Sequence, residues 1–290
     1  MMIQQATLST TAGQDRVAKA AAIPKLKREE SAVLARTELT RFLHLIENLS
    51  PADWSLPTAC TLWTVKDIVA HQAAHVLAAT RFTEFLSQFD ARKFRDYTAK
   101  GMNSLDAANQ RQVDLRATRT PAELITEMKT RSEASLAGRQ RFPWLVRKIR
   151  TAVPGYHKPI SLGELIDVIF TRDMWMHRLD VCRATGHTMV LTPEHDGRIN
   201  ALTMRDLAQN LSDKLNGQTV MYRLTGAAGG EWLLGTAASV SAVVTMDALD
   251  FNWLASKHIN GQDALAQNIV KVEGDQVLAE LVIHNTTVLY

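Results

Sequence analysis

Two side chains in the segment TRDMWMHRLD set the chemical question: Asp173 and His177 are four residues apart. At helical spacing that places a carboxylate and an imidazole on one face, close enough to share an ion. A third candidate, His71, falls in a separate run that reads as a helix beginning after Thr64. Two ligands from one helix and one from another leave a coordination position open for water or substrate, the layout of catalytic zinc sites. Helical bundles build metal centres in this manner, from side chains on facing helices. His71 and His75 form a rival pair, also four apart, and His75 reads equally as a fourth ligand, a proton shuttle or a core histidine. Without a metal, His71 reads as a core imidazole bonded to a backbone carbonyl, and Asp173 as an ion-pair partner of Arg172 or Arg178.

These residues need helices to position them, and the hydrophobic pattern supplies the candidates. Apolar positions Val33, Leu34, Phe42, Leu43, Leu45, Ile46 and Leu49 predict a helix over 29–50, closed by Pro51. Thr64-Val-Lys-Asp67 reads as a capping box opening a helix to about Phe89, so Asp67 is expected to cap rather than to support His71. A polar connection over 90–103 precedes helical signals at 104–118 and a further start at Thr120-Pro121. The stretch 139–160 is irregular, basic and proline-punctuated; its arginines and lysine, interleaved with Phe142, Trp144, Leu145 and Ile149, suit a solvated amphipathic face. Ser161 opens the helix that carries Asp173 and His177, with a stop near Gly186, and one more helix is expected over 193–215.

Beyond Asn216-Gly217 short β-branched runs at 219–224, 231–234 and 239–245 predict strands, followed by a helix over 247–257 and further strands at 269–273 and 277–283. The expected organisation is a flexible arm over 1–27, a helical domain over 28–215 and a small α/β domain over 216–290. The glycines between Gly226 and Gly230 lack the lysine and following helix of a phosphate loop.

Composition narrows the function classes. The chain has 290 residues, 33 Lys+Arg against 30 Asp+Glu and a net charge of +3, too small and too evenly spread for a nucleic-acid or membrane-surface protein. Its two cysteines, Cys60 and Cys182, are too far apart for a metal knuckle or redox motif. No apolar run reaches membrane-spanning length and the N-terminal residues lack a signal-like apolar segment, so a cytoplasmic setting is expected.

LSPADWSLPTACTLWTVKDIVAH and TRDMWMHRLDVCRATG together resemble the mycothiol-dependent maleylpyruvate isomerase family of the DinB-like metalloenzyme superfamily. The resemblance implies an α+β chain, with an up-down DinB-like four-helix bundle. It also implies a divalent metal, zinc foremost and nickel second, held by His71, Asp173 and His177. Family members commonly carry glutamate where this chain has Asp173, one methylene shorter. VMYRLTGAAGGEWLLG, FNWLASKHING and VEGDQVLAELVIH are similar to the sterol-carrier-like domain that accompanies this bundle. There the family uses an arginine for the substrate carboxylates, whereas this chain offers Lys257 and His258. Lysine lacks the bidentate fork of arginine, so the departure bears on the substrate. The implied activity is isomerase or thiol-transferase chemistry on a small electrophile with a low-molecular-weight thiol such as mycothiol as cofactor, by a monomer or homodimer. A non-catalytic small-molecule-binding protein is the alternative. Asp180 is a candidate support for His177.

Overall fold

The computed structural model describes residues 17–153 and 158–290, and the chain divides into two compact units. The first sixteen residues of the expected arm, and residues 154–157 of the basic stretch, lie outside the described residues. Among the described residues no helix is long and apolar enough to cross a membrane.

The helical unit comprises residues 25–191 together with 255–258 and 288–290. Its long helices are α1 (Arg28–Glu47), α2 (Val65–Ala78), α3 (Phe82–Gln88), α4 (Ser104–Asp114), α5 (Pro121–Arg141) and α6 (Phe170–Thr185). Four of them form the bundle: α1 packs on α5 and α6, and α2 packs on the same two helices. Neighbours therefore run α1, α5, α2, α6 rather than in chain order. Phe42, Ile46, Ile68, Val69, Val76, Leu124, Met128 and Val181 fill the core between them. Helix α2 is buried almost all round, as its run of small apolar residues requires.

Local chemistry explains the ends. Capping boxes close the starts of α2 and α5, each hydroxyl accepting from the amide three residues on while the Asp67 or Glu123 carboxylate returns to the cap amide. Asp67 thus serves as a cap. The helix expected to run unbroken to Phe89 instead breaks after Ala78, and the reason lies on α5. Gly138 crosses so close that a Cβ there would lie 2.1 Å from the Ala79 carbonyl oxygen and 2.6 Å from that of Thr80. Thr80 Oγ1 donates to the Leu77 carbonyl (2.7 Å) and Arg81 is extended, which completes the break. The connection over 90–103 carries two short helical turns, Ala91–Phe94 and Arg95–Ala99. Helix α6 is entered through a π-helical turn, Leu165–Ile169, and leaves through Gly186 in the left-handed conformation. Such widened turns are frequently found beside functional side chains.

The second unit holds a five-stranded sheet of β1 (Val17–Lys19), β2 (Thr219–Thr225), β3 (Gly230–Gly235), β4 (Ala242–Asp247) and β5 (Lys271–Gly274), in the order β1-β3-β2-β4-β5. The β2–β3 and β4–β5 pairs are antiparallel, and the β1–β3 and β2–β4 pairs are parallel. Val220, Tyr222 and Leu224 face one side with Trp232, Leu234, Val244 and Met246, giving the alternation of a half-buried sheet. Helices α7 (Arg198–Leu211), α8 (Ala248–Ala255), α9 (Gly261–Ala266) and α10 (Gln276–His284) complete the fold.

The expected α+β class, helices first and sheet last, is observed. Three further details differ. Residues 17–19 of the expected arm form β1, paired register by register from Val17 with Glu231 to Lys19 with Leu233. The units divide at Thr192 rather than 216, because α7 packs on β3 and on residues 20–22. Residues 277–283 are helical: Asp275 accepts from the Leu278 amide, and Leu278, Ala279, Val282 and Ile283 are buried at helical spacing. A short apolar run does not by itself separate strand from buried helix.

Gly138→Ala should lower stability by about 2 kcal/mol or more, because backbone atoms rather than a flexible side chain meet the new methyl. Denaturant midpoints at unchanged m-value check this; a shift within error would contradict the close crossing.

Candidate metal centre

The bundle converges on one carboxylate. Asp173 is buried on α6, and Gln72 Nε2 donates to its Oδ2 at 2.6 Å. Three imidazoles surround it: His75 Nδ1 lies 3.1 Å and His71 Nε2 3.6 Å from Oδ2, and His177 Nε2 lies 3.5 Å from Oδ1. The three residues singled out by spacing, His71, Asp173 and His177, are thus brought together, with His75 and Gln72 beside them. Among the described residues, His71, His75 and Asp173 bring ligand-capable atoms within 4.8 Å of one another, as do Cys60, His177 and Asp180. The Trp63 ring lies 5.0 Å from that of His71 and 6.0 Å from that of His177.

Outer partners distinguish the imidazoles. His71 Nδ1 donates to Gln112 Oε1 at 3.0 Å, which leaves Nε2 as the lone-pair nitrogen facing Asp173. That Nε2 is buried without a hydrogen-bond partner among the described residues. His177 Nδ1 donates to Asp180 Oδ2 at 2.8 Å and turns its Nε2 to Asp173. Metal-binding imidazoles characteristically anchor their second nitrogen in this way. His75 has no such anchor: its ring stacks on Phe170 (4.8 Å, 13°) and both nitrogens lack a hydrogen-bond partner among the described residues. An unsatisfied buried nitrogen opposite a carboxylate, with its ring held from behind, is the donor set a divalent ion fits.

Electrostatics follow the geometry. Burial, then the neighbouring His75, pushes the His71 pKa down to about 4, so the ring is neutral at pH 7 and available as a ligand. Burial works against ionisation of Asp173, yet His75, His177 and His71 hold its carboxyl well below the usual range. Burial also opposes charge on His177, but Asp173 and Asp180 outweigh it and raise its pKa well above the ordinary value. A metal on Nε2 would displace that proton.

A second polar layer adjoins the first. His258 Nε2 lies 3.0 Å from Asp180 Oδ1, and Ser256 Oγ is 2.9 Å from His258 Nδ1. Cys60 Sγ lies 3.7 Å from Asp180 Oδ2 and 3.8 Å from His258 Nε2. Burial disfavours the thiolate of Cys60, but His177 and His258 more than offset it and lower the thiol pKa. Despite burial, Asp180 and Cys60 raise the His258 pKa to about 9. Of the two residues expected on the substrate side, His258 therefore joins Asp180, whereas Lys257 is exposed with φ +66°. Gln72 and Gln112 carry no sequence signal beyond their helical spacing, and Cys60 is marked only by its place just before Trp63-Thr64.

The family model for the mycothiol maleylpyruvate isomerase N-terminal domain matches residues 35–182, spanning the four-helix core and both candidate segments. The chain belongs to the mycothiol maleylpyruvate isomerase family. Crystal structures of the mycothiol-dependent maleylpyruvate isomerase, and of a histidine-to-alanine mutant of it, are similar in fold. The former is 14% identical and the latter 13%, each with a TM-score of 0.52, over 86% of this chain and 93% of the matched chain. Among curated proteins no sequence matches significantly.

Two measurements check the electrostatics of this family member. His258 gains its proton on folding, so its contribution is full below about pH 6.5 and is lost as pH rises through about 9. The stability difference between wild type and His258→Gln should therefore be about 1–2 kcal/mol at the acid end and shrink across that window; a pH-independent difference would contradict the assignment. Burial pushes Cys182 up to about 11, so iodoacetamide at about pH 7.5 should alkylate Cys60 first, read by peptide mass spectrometry. Faster labelling of Cys182 would reverse the ordering.

Proposed function

We propose that this chain is a metal-dependent enzyme in which His71, Asp173 and His177 hold a divalent ion that serves thiol-dependent isomerase or transferase chemistry on an electrophilic small molecule. The observation that carries it is the buried, unpartnered His71 Nε2 facing Asp173, with His71 and His177 both anchored from behind. Zinc is the favoured ion and nickel the next, since imidazole suits both. When bound, such an ion lowers the pKa of a coordinated thiol, so that a thiolate is present at neutral pH. Mycothiol, the low-molecular-weight thiol of the family's name, is the proposed cofactor.

The chain's own residues have separable tasks. Gln112 and Asp180 fix the ring orientation and tautomer of His71 and His177. Gln72 Nε2 occupies one lone pair of Asp173 Oδ2 and so limits how the carboxylate turns. The shorter reach of aspartate is met by helix placement, since Asp173 already lies within 3.6 Å of all three imidazoles. The Trp63 ring packs beside the His71 and His177 rings.

Elemental analysis of the purified protein tests the ligand set. About one metal per chain is expected in wild type, with occupancy down roughly tenfold or more in His71→Ala and His177→Ala. His75→Ala should keep the metal, because His75 lacks an outer anchor. Loss of metal in His75→Ala but not in His177→Ala would exchange their roles. No metal in wild type, before or after zinc or nickel addition, would overturn the proposal. Metal retention without turnover of conjugated electrophiles in the presence of mycothiol would favour a non-catalytic binding protein.

A further inference from the structure

A cavity of about 480 Å³ in the helical unit has His75 and Asp173 in its wall, so it opens onto the metal-candidate cluster. That volume suits a small organic molecule. Its lining is dominated by phenylalanine: Phe85, Phe89, Phe94 and Phe170 all face it. Three of these rings pack on one another, with Phe85 centred 4.9 Å from Phe89 and 6.2 Å from Phe170, and Phe89 6.5 Å from Phe170. Leu105 of α4 and Ile169 of the widened turn extend the apolar wall. Polar capacity is sparse and specific: Asn109 Oδ1 and His75 Nε2 are both buried without a hydrogen-bond partner among the described residues.

The charge on this lining argues against a small dicarboxylate. Among the described residues, Arg150 is the single cationic side chain of the wall, and its exposed guanidinium already donates to the Pro159 carbonyl. A second carboxylate in this space would meet phenyl rings, without the paired forks that desolvated carboxylates require. An aromatic or branched apolar body would instead bury against rings that favour edge or offset stacking.

We propose that the cavity receives the apolar body of the electrophile, so that the site takes a hydrophobic, ring-bearing conjugated carbonyl compound with at most one anionic group. Asn109 Oδ1 then accepts a hydrogen bond from a hydroxyl or amide of that body, and the reactive end lies toward His75 and Asp173. This assignment of substrate class rests on the proposed thiol chemistry, but binding tests it separately from turnover.

Calorimetry on the EDTA-treated protein, without thiol and beside the protein as purified, uses three probes: 4-phenylbut-3-en-2-one, cinnamate and maleate. The aryl enone and cinnamate should bind at least about tenfold more tightly than maleate. Leu105→Trp, which fills the cavity from a half-buried position, should weaken the aryl enone by a similar factor at unchanged metal content and melting temperature. If that variant fails to fold, Ser104→Trp at the exposed rim carries the same test. Maleate binding as tightly as the enone, or filled variants that bind it like wild type, would overturn the proposal. Because the EDTA-treated arm contains neither metal nor thiol, failure of the thiol chemistry alone would leave its result intact.

Discussion

A buried carboxylate facing three imidazoles is the constraint on which the helical unit depends. Removing the Asp173 charge from water is costly, and the cost is offset by the protonated His177 beside Oδ1 and the Gln72 amide that donates to Oδ2. Those partners come from α2 and α6, so the two helices must meet at fixed register. The capping box at Thr64, the close crossing at Gly138 and the widened turn before Phe170 each set a piece of that register. Anchors behind the ligands then convert proximity into orientation: Gln112 from α4 for His71, Asp180 from the next turn of α6 for His177.

The same cluster divides the unit's chemistry by polarity. On the Asp180 side lie Cys60 and His258, charged or readily ionised and joined within 4 Å. On the His75 side lies a space walled by phenylalanines. A thiolate and a conjugated apolar electrophile have opposite solvation needs, so the proposed chemistry calls for a site with one polar and one apolar flank.

Much of this was legible in the sequence because it depends on local spacing. Asp173 and His177 follow from an i, i+4 pair, the α2 start from Thr64-Val-Lys-Asp67, and the helix-to-sheet change from the glycines and β-branched residues after Asn216. The partners were not legible where they depend on contacts distant in sequence. Gln112 reaches His71 from forty-one residues away, and Gln72 reaches Asp173 from one hundred and one. The break after Ala78 is imposed by Gly138, β1 exists only because β3 offers an edge, and 277–283 is settled as helix by the Asp275 cap. Apolar runs report burial, and neighbours decide which element buries them.

The central claim is that the imidazoles gathered at Asp173 form a metal centre rather than a structural cluster. Anomalous scattering at the zinc edge from crystals of the zinc-loaded protein tests it most directly. The account predicts a single strong peak bonded to His71 Nε2, His177 Nε2 and an Asp173 carboxylate oxygen, with Gln112 and Asp180 still on the Nδ1 atoms. A peak instead among Cys60, His177 and Asp180, or no ordered peak within the bundle, would contradict it.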